Sequence, residues 1–314
     1  MEAQERTLIK QGGGGFTIYL PKKWVDAKGL KEKDSVYAEE KNGTLVLYSK
    51  LPKRKTGNIL FNDENKHDAR TLLTHYYREG CDELVCENID SVIFSKILET
   101  VNKYLLGFEI IERTEKSCII GNISEPENAK YDVILRRIFL IVHESITLVY
   151  EDARKGKFDG MNEMQDMRDQ IDKFILFCRR IVVKEQLDHS ETLSWEMLTF
   201  LQHIQHAAYY LYKYMFGVKE KLHSSSVNFI KEACEQFELY RNAYYNKDLN
   251  AIHEINKRKV AYQTGACIKA LEKSKGPEGV ALSYIRELLR LIQIGTSPLI
   301  SMVLEENLRP STGN

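Results

Sequence analysis

The chain is 314 residues long and 43% hydrophobic, which allows real cores and two or three domains. Its formal charge is zero but unevenly spread: residues 1–58 hold 12 Lys and Arg against 7 Asp and Glu, and the remainder holds 33 against 38. Contact with a polyanion therefore belongs to the small basic head rather than to the longer acidic body.

Residues 5–10 and 16–20 alternate and β-branch as strands do, with Gly12-Gly13-Gly14-Gly15 between them. The glycine run reads as a flexible loop or hairpin tip, since it permits φ > 0 and close backbone approach. A phosphate-cradling loop is the sharper alternative, but no Gly-Lys-Ser/Thr follows and the next element is a strand, not a helix. Pro21 ends the second strand, and Lys22–Gly29 makes one or two helical turns. Val36–Glu40 and Thr44–Tyr48 pair around Lys41-Asn42-Gly43, where Asn-Gly is a strong turn signal. About fifty residues of this kind bury little core alone, so the head asks for a partner chain. Residues 49–58 read as a basic linker, either a solvated tether or a secondary phosphate contact.

Ala69–Glu79 and Ser95–Leu105 then read as helices, Leu84–Glu87 as a strand, and Phe108–Arg113 with Ser117–Ile123 as paired strands: a small α/β unit. From about 128 the chain is helical. Ile134, Ile138, Ile141, Ser145 and Leu148 keep a 3–4 spacing, as do Met164 to Ile181, Leu198 to Met215 and Ile230 to Tyr244. Residues 249–273 and 279–305 supply a fifth and a sixth helix. The break at Gly217–Ser226 divides the run into halves of three helices, the mark of an internal duplication. Pro298 lies inside the last helix and should kink it.

The six cysteines, Cys81, Cys86, Cys118, Cys178, Cys234 and Cys267, form no Cys-x-x-Cys pair and lie mostly in apolar patterns. That fits reduced, buried thiols better than a disulfide frame or a zinc site. No signal peptide is present, and the most apolar run, Ile138–Tyr150, is too short to span a bilayer. A cytoplasmic protein is expected.

Thr17-Ile18-Tyr19-Leu20-Pro21-Lys22-Lys23-Trp24, Gly29-Leu30, Asp34-Ser35-Val36 and Gly43-Thr44-Leu45-Val46-Leu47 resemble the AbrB/SpoVT family of swapped-hairpin DNA-binding domains. The family pattern usually has glycine before the aspartate, where this chain has Lys33. The resemblance implies that two chains interleave hairpins into one β-barrel, which answers the shortage of core. It also implies double-stranded DNA as partner, with Arg6, Lys10, Lys22 and Lys23 as candidate contacts. Cations of this kind neutralise phosphates and release counterions, which makes binding salt-dependent.

Asp169-Gln170-Ile171-Asp172-Lys173-Phe174, followed by Arg179 and Arg180, resembles PhoU, a regulator of phosphate uptake built from tandem three-helix bundles. Ala69-Arg70-Thr71-Leu72-Leu73 with Tyr76, Tyr77 and Gly80, then Leu105 to Glu112, look like the connector of archaeal proteins that join an AbrB head to a PhoU body. The resemblance implies a multidomain chain: a dimeric swapped-hairpin head at 1–50, a basic linker and α/β connector at 51–125, and a PhoU-like six-helix domain at 126–314.

PhoU proteins commonly hold iron, zinc or other divalent ions on carboxylate-rich helices. Here Glu163, Asp166, Asp169 and Asp172 remain, but the next helix reads Gln202-His203-Ile204-Gln205-His206, and Gln263–Ala266 and Leu291–Gly295 lack the expected acids. Two readings stand. Asp169, Asp172, His203 and His206 form a rebuilt zinc or iron site, or the acids are a solvated edge beside surface histidines. The Glu-x-x-His spacings, Glu64/His67 and Glu220/His223, fall in links, which argues against a di-iron enzyme. Tyr209, Tyr210, Tyr212 and Tyr214 read as bundle packing before an aromatic ligand box. The expectation is a homodimeric, non-enzymatic transcription regulator of phosphate uptake that requires no cofactor. The rival is an adaptor acting on a phosphate transporter or sensor kinase. An antitoxin is disfavoured by the long folded body.

Overall fold

The computed structural model describes residues 5–41, 44–50, 54–124, 129–185 and 191–308. The chain divides into two compact units, Met1–Lys53 and Arg54–Asn314.

In the first unit, β1 (Ile9–Gln11) and β2 (Gly15–Thr17) form an antiparallel hairpin in which Lys10 faces Phe16 and Gln11 faces Gly15. Both strands are shorter than the alternation predicts. Gly12, Gly13 and Gly14 are the hairpin tip, with Gly12 at φ +60° and Gly14 at φ +146°, so two positions of the run require what glycine alone adopts freely. The plain reading of the glycines holds.

Helix α1 (Lys22–Ala27) follows Pro21. It ends in a Schellman turn: Gly29, at φ +64°, donates to the Asp26 carbonyl, and Leu30 donates to that of Val25. Strands β3 (Tyr37–Lys41) and β4 (Thr44–Tyr48) are antiparallel with Lys41 opposite Thr44. The predicted Asn42-Gly43 turn between them lies outside the described residues. Lys33, standing where the pattern usually has glycine, is left-handed at φ 73°. A side chain there costs about 1–2 kcal/mol. Lys33→Gly is expected to stabilise the head by about 0.5–1 kcal/mol after the extra freedom of the unfolded chain is offset. Denaturant midpoints of the two proteins check this, and no gain would refute it.

The second unit opens on β5 (Thr56–Leu60), whose first three residues belong to the segment expected to be a linker. The residues carry no strand pattern because Gly57 takes an inward position. A Cβ there would stand 2.6 Å from the Tyr76 ring and 2.9 Å from Leu84. Helix α2 (Ala69–Arg78) crosses over to β6 (Glu83–Glu87), which pairs parallel with β5. Helix α3 (Ser91–Tyr104) starts four residues before the predicted point, because the Asp90 carboxylate caps it by accepting from Ile93 N at 2.7 Å. Strands β7 (Phe108–Arg113) and β8 (Ser117–Asn122) complete a mixed sheet in the order β5-β6-β8-β7. Phe61, Leu73, Tyr77, Leu84, Cys86, Ile97 and Ile120 form its core.

The helical part comprises α4 (Ala129–Lys155), α5 (Met161–Glu185), α6 (Glu191–Val218), α7 (Ser224–Asn246), α8 (Leu249–Ala261), α9 (Cys267–Lys273), α10 (Pro277–Ile294) and α11 (Thr296–Leu308). The predicted fifth helix is continuous through a π-turn at Tyr262–Ala266 that joins α8 to α9. The predicted sixth breaks at Gly295, three residues before Pro298, because proline has no N–H to bond the Ile294 carbonyl. Helix α6 packs against α4, α5, α10 and α11, so the helices share one core. The run Pro277–Glu305 has the length and mean hydropathy to cross a membrane, but half of it is buried inside the protein, as for a core helix. The six cysteines are free thiols, all but Cys234 buried, and Cys86 and Cys118 face each other across β6 and β8.

Candidate nucleic-acid interface

Arg6, Lys10, Lys22 and Lys23 are all exposed on the first unit. Hairpin pairing puts Lys10 on the same face as Phe16, while Lys22 and Lys23 are the first two residues of α1. Arg6 shares a hollow of about 320 Å³ with Glu5, Thr7, Ile9 and Tyr19. The apolar residues beside these cations are open to solvent: Phe16 is 66% exposed, Tyr19 70% and Leu45 61%. No described residue of this unit is buried. A set of strands with its apolar side chains outside has a face that one copy cannot close.

The second cluster of charged residues surrounds α5 in the other unit. The four residues named as a metal site separate there. Asp169 accepts from Tyr104 Oη at 2.9 Å and pairs with Lys103 at 3.0 Å, both on α3. Asp172 pairs with Arg70 of α2 at 3.0 Å, accepts from Gln202 at 2.8 Å and meets His206 Nε2 at 3.0 Å. Only Asp172 and His206 come together, while His203, Glu163 and Asp166 face solvent. Among the described residues no group of three or more His, Cys, Asp or Glu is arranged to hold a metal ion. Cations and amides occupy the lone pairs that a metal would need.

About two turns beyond Asp172 on α5, Arg180 is fully buried. It donates to the carbonyls of Tyr77 (3.0 Å) and Cys81 (2.6 Å) and reaches Asp82 at 3.3 Å. Lys184 joins Asp82 at 2.6 Å, and Asp82 also accepts from the backbone N–H of Lys55. Helix α5 thus lies between two cores, with Ile171, Ile175, Cys178 and Ile181 in the helical one and Leu176 in that of the sheet. The sequence signal for this was the Arg179-Arg180 pair inside an otherwise apolar helical run; its partners are distant in the chain.

Burial by itself would raise the carboxyls of Asp82, Asp169 and Asp172. Hydrogen bonds and charge from Lys184, from Lys103 and Tyr104, and from His206, Gln202 and Arg70 outweigh it and hold all three below the ordinary aspartate value. A depressed folded-state value contributes stability that is complete above the unfolded value and is lost as pH falls through the folded one. The melting temperature is therefore expected to hold down to about pH 4 and to drop below it. Asp172→Asn should start lower and show a shallower drop. Equal slopes in thermal scans between pH 2 and 7 would refute the assignment.

The tyrosines divide by position. Tyr209 and Tyr212 are buried, with Tyr212 bonded to Asp152 and to Gly160 N, and Tyr210 is exposed under Arg168. Tyr214 lies against Tyr284. That is packing rather than a ligand box.

A family model described as "Antidote-toxin recognition MazE, bacterial antitoxin" matches residues 9–56. No curated protein and no solved structure matches the chain. The match ends within three residues of the boundary between the compact units, and it contains Lys10, Lys22 and Lys23. The chain therefore carries an AbrB-like domain at its N-terminal end, followed by a mostly helical body.

Proposed function

We propose that the chain is a homodimeric, DNA-binding transcription regulator whose head, residues 1–50, is completed by a second copy into a swapped-hairpin barrel. The observation that carries this is the head itself: an AbrB-like domain with its apolar side chains outside and Arg6, Lys10, Lys22 and Lys23 exposed. A second copy would cover Phe16, Tyr19 and Leu45 and double the cations for contact with a duplex. The connector at 51–125 and the helical body at 126–314 complete the molecule. The resemblance of the α5 segment to PhoU proteins makes phosphate uptake the process regulated, with the body as sensor or docking surface in tandem three-helix bundles. The protein is not an enzyme in this reading and needs no metal. Binding of the full chain to duplex DNA, followed by fluorescence anisotropy across a salt titration, tests it. Binding without salt dependence, or a monomer in light scattering, would overturn it.

The matched family's description favours a second reading, an antitoxin-type regulator. A body of about 260 residues that folds around its own core contrasts with a short toxin-wrapping tail. Rescue of a growth-arresting neighbour gene by co-expression would favour the antitoxin. An adaptor on a phosphate transporter or sensor kinase would show no sequence-specific DNA binding.

A further inference from the structure

Among the described residues two arginines are buried, Arg179 and Arg180, and they differ in their partners. Arg180 has Asp82, as the half-buried Arg258 has Glu232. Arg179 of α5, 94% buried by its 6% exposure, has no carboxylate partner among the described residues; its Nη2 donates to Thr199 Oγ1 at 2.9 Å. Beside it Arg78 of α2 has none either, and meets the ring of His75 at 2.8 Å. Both guanidinium groups stand over the indole of Trp195 on α6, at 5.6 Å for Arg78 and 5.1 Å for Arg179. Both leave a buried Nε–H without an acceptor.

This arrangement is costly. Buried donors are normally satisfied, and like charges repel, the more so where one of them is buried. Burial, then the charge of Arg78, pushes the Arg179 guanidinium down to about 10, while Asp172, the carboxylate that opposes this, is already shared by Arg70, Gln202 and His206. What would relieve all these deficits is an acceptor with several oxygens and negative charge, the chemistry that guanidinium groups bind in bidentate fashion. Trp195 and Thr199 also line an open groove of about 600 Å³ with Val182, Val183 and Phe200, so the edge of the cluster formed by these two residues meets solvent. Glu191 and Glu196 line the same groove and neither arginine does, so an anion is selected by the guanidinium pair beyond Trp195 and Thr199 and not by the groove itself.

We propose that Arg78 and Arg179, with Thr199 and Trp195, form a binding site for one small oxyanion, a carboxylate or phosphoryl group. The site joins α2 of the sheet unit to α5 and α6 of the helical body, so an occupant would fasten one to the other. The proposal concerns the body and stands whether or not the head binds DNA.

The test uses the full chain carrying Trp24→Phe, which leaves Trp195 as its tryptophan. Sodium phosphate, sulfate and acetate are titrated against sodium chloride at equal ionic strength, reading Trp195 fluorescence and the melting temperature. One or more of the oxyanions should raise the melting temperature by about 2–4 °C over chloride at saturation and change Trp195 emission. The arm that responds assigns the class. Arg179→Met should remove the response while melting no lower than the parent without anion, because it deletes an unpaired buried charge. Arg78→Gln, at a half-buried position, should remove the response without disturbing the core. Identical curves in oxyanions and chloride, or a response that survives both substitutions, would overturn the site.

Discussion

Arg180→Ala is expected to cost about 3–5 kcal/mol. The side chain is fully buried and satisfies two carbonyls, Tyr77 and Cys81, as well as Asp82. Its removal leaves those acceptors dry and Asp82 with Lys184 as its remaining side-chain cation. The guanidinium also lies over the rings of Tyr77 (5.1 Å) and Phe108 (4.8 Å), so a cavity opens between two aromatic faces. Thermal unfolding followed by circular dichroism should show a fall of roughly 10 °C. Arg180→Met restores most of the volume but not the hydrogen bonds, and should recover only the smaller, packing part. A loss below about 1 kcal/mol for the alanine variant would mean that the helical body and the sheet are held by their apolar surfaces alone.

Charge reversal on the head should produce the second large effect. With four cations in each of two copies on phosphates, the logarithm of affinity should fall with the logarithm of salt at a slope near −7, which is about a 10⁴-fold loss between 50 and 200 mM. Lys22→Glu with Lys23→Glu removes half of those contacts. The slope should shrink to about −4, and binding at low salt should weaken by at least two orders of magnitude. Both residues are exposed at the start of α1 and support no core, so the melting temperature should stay put. An unchanged slope in anisotropy titrations would place the DNA contact elsewhere on the molecule.

The places where the structure departs from the sequence pattern share one cause. Strand β5 was hidden because Gly57 and Asn58 carry no strand preference; Tyr76 and Leu84, distant in sequence, leave room for a glycine and nothing larger. The start of α3 was misplaced because the apolar stripe begins after the cap, while Asp90 sets the boundary by a single hydrogen bond. Asp169 and Asp172 looked alike as acids one turn apart on a helix. Their roles diverge because α3 brings Lys103 and Tyr104 to one, and α2 with α6 brings Arg70, Gln202 and His206 to the other. Arg78, Arg179 and Trp195 come from three helices, and no spacing in the chain relates them.

The sequence by itself determined the local pieces: the glycine hairpin tip, the Pro21 stop, the α1 turn closed at Gly29, and the long helices from their 3–4 apolar spacing. These depend on backbone sterics and on side chains a few residues apart, which a linear pattern records. Tertiary structure alone decided the pairing of charges. Which carboxylate neutralises which cation, and which arginine is left without one, depends on distances of a few ångströms between helices up to a hundred residues apart, and electrostatic energy at such distances is not encoded in any local spacing.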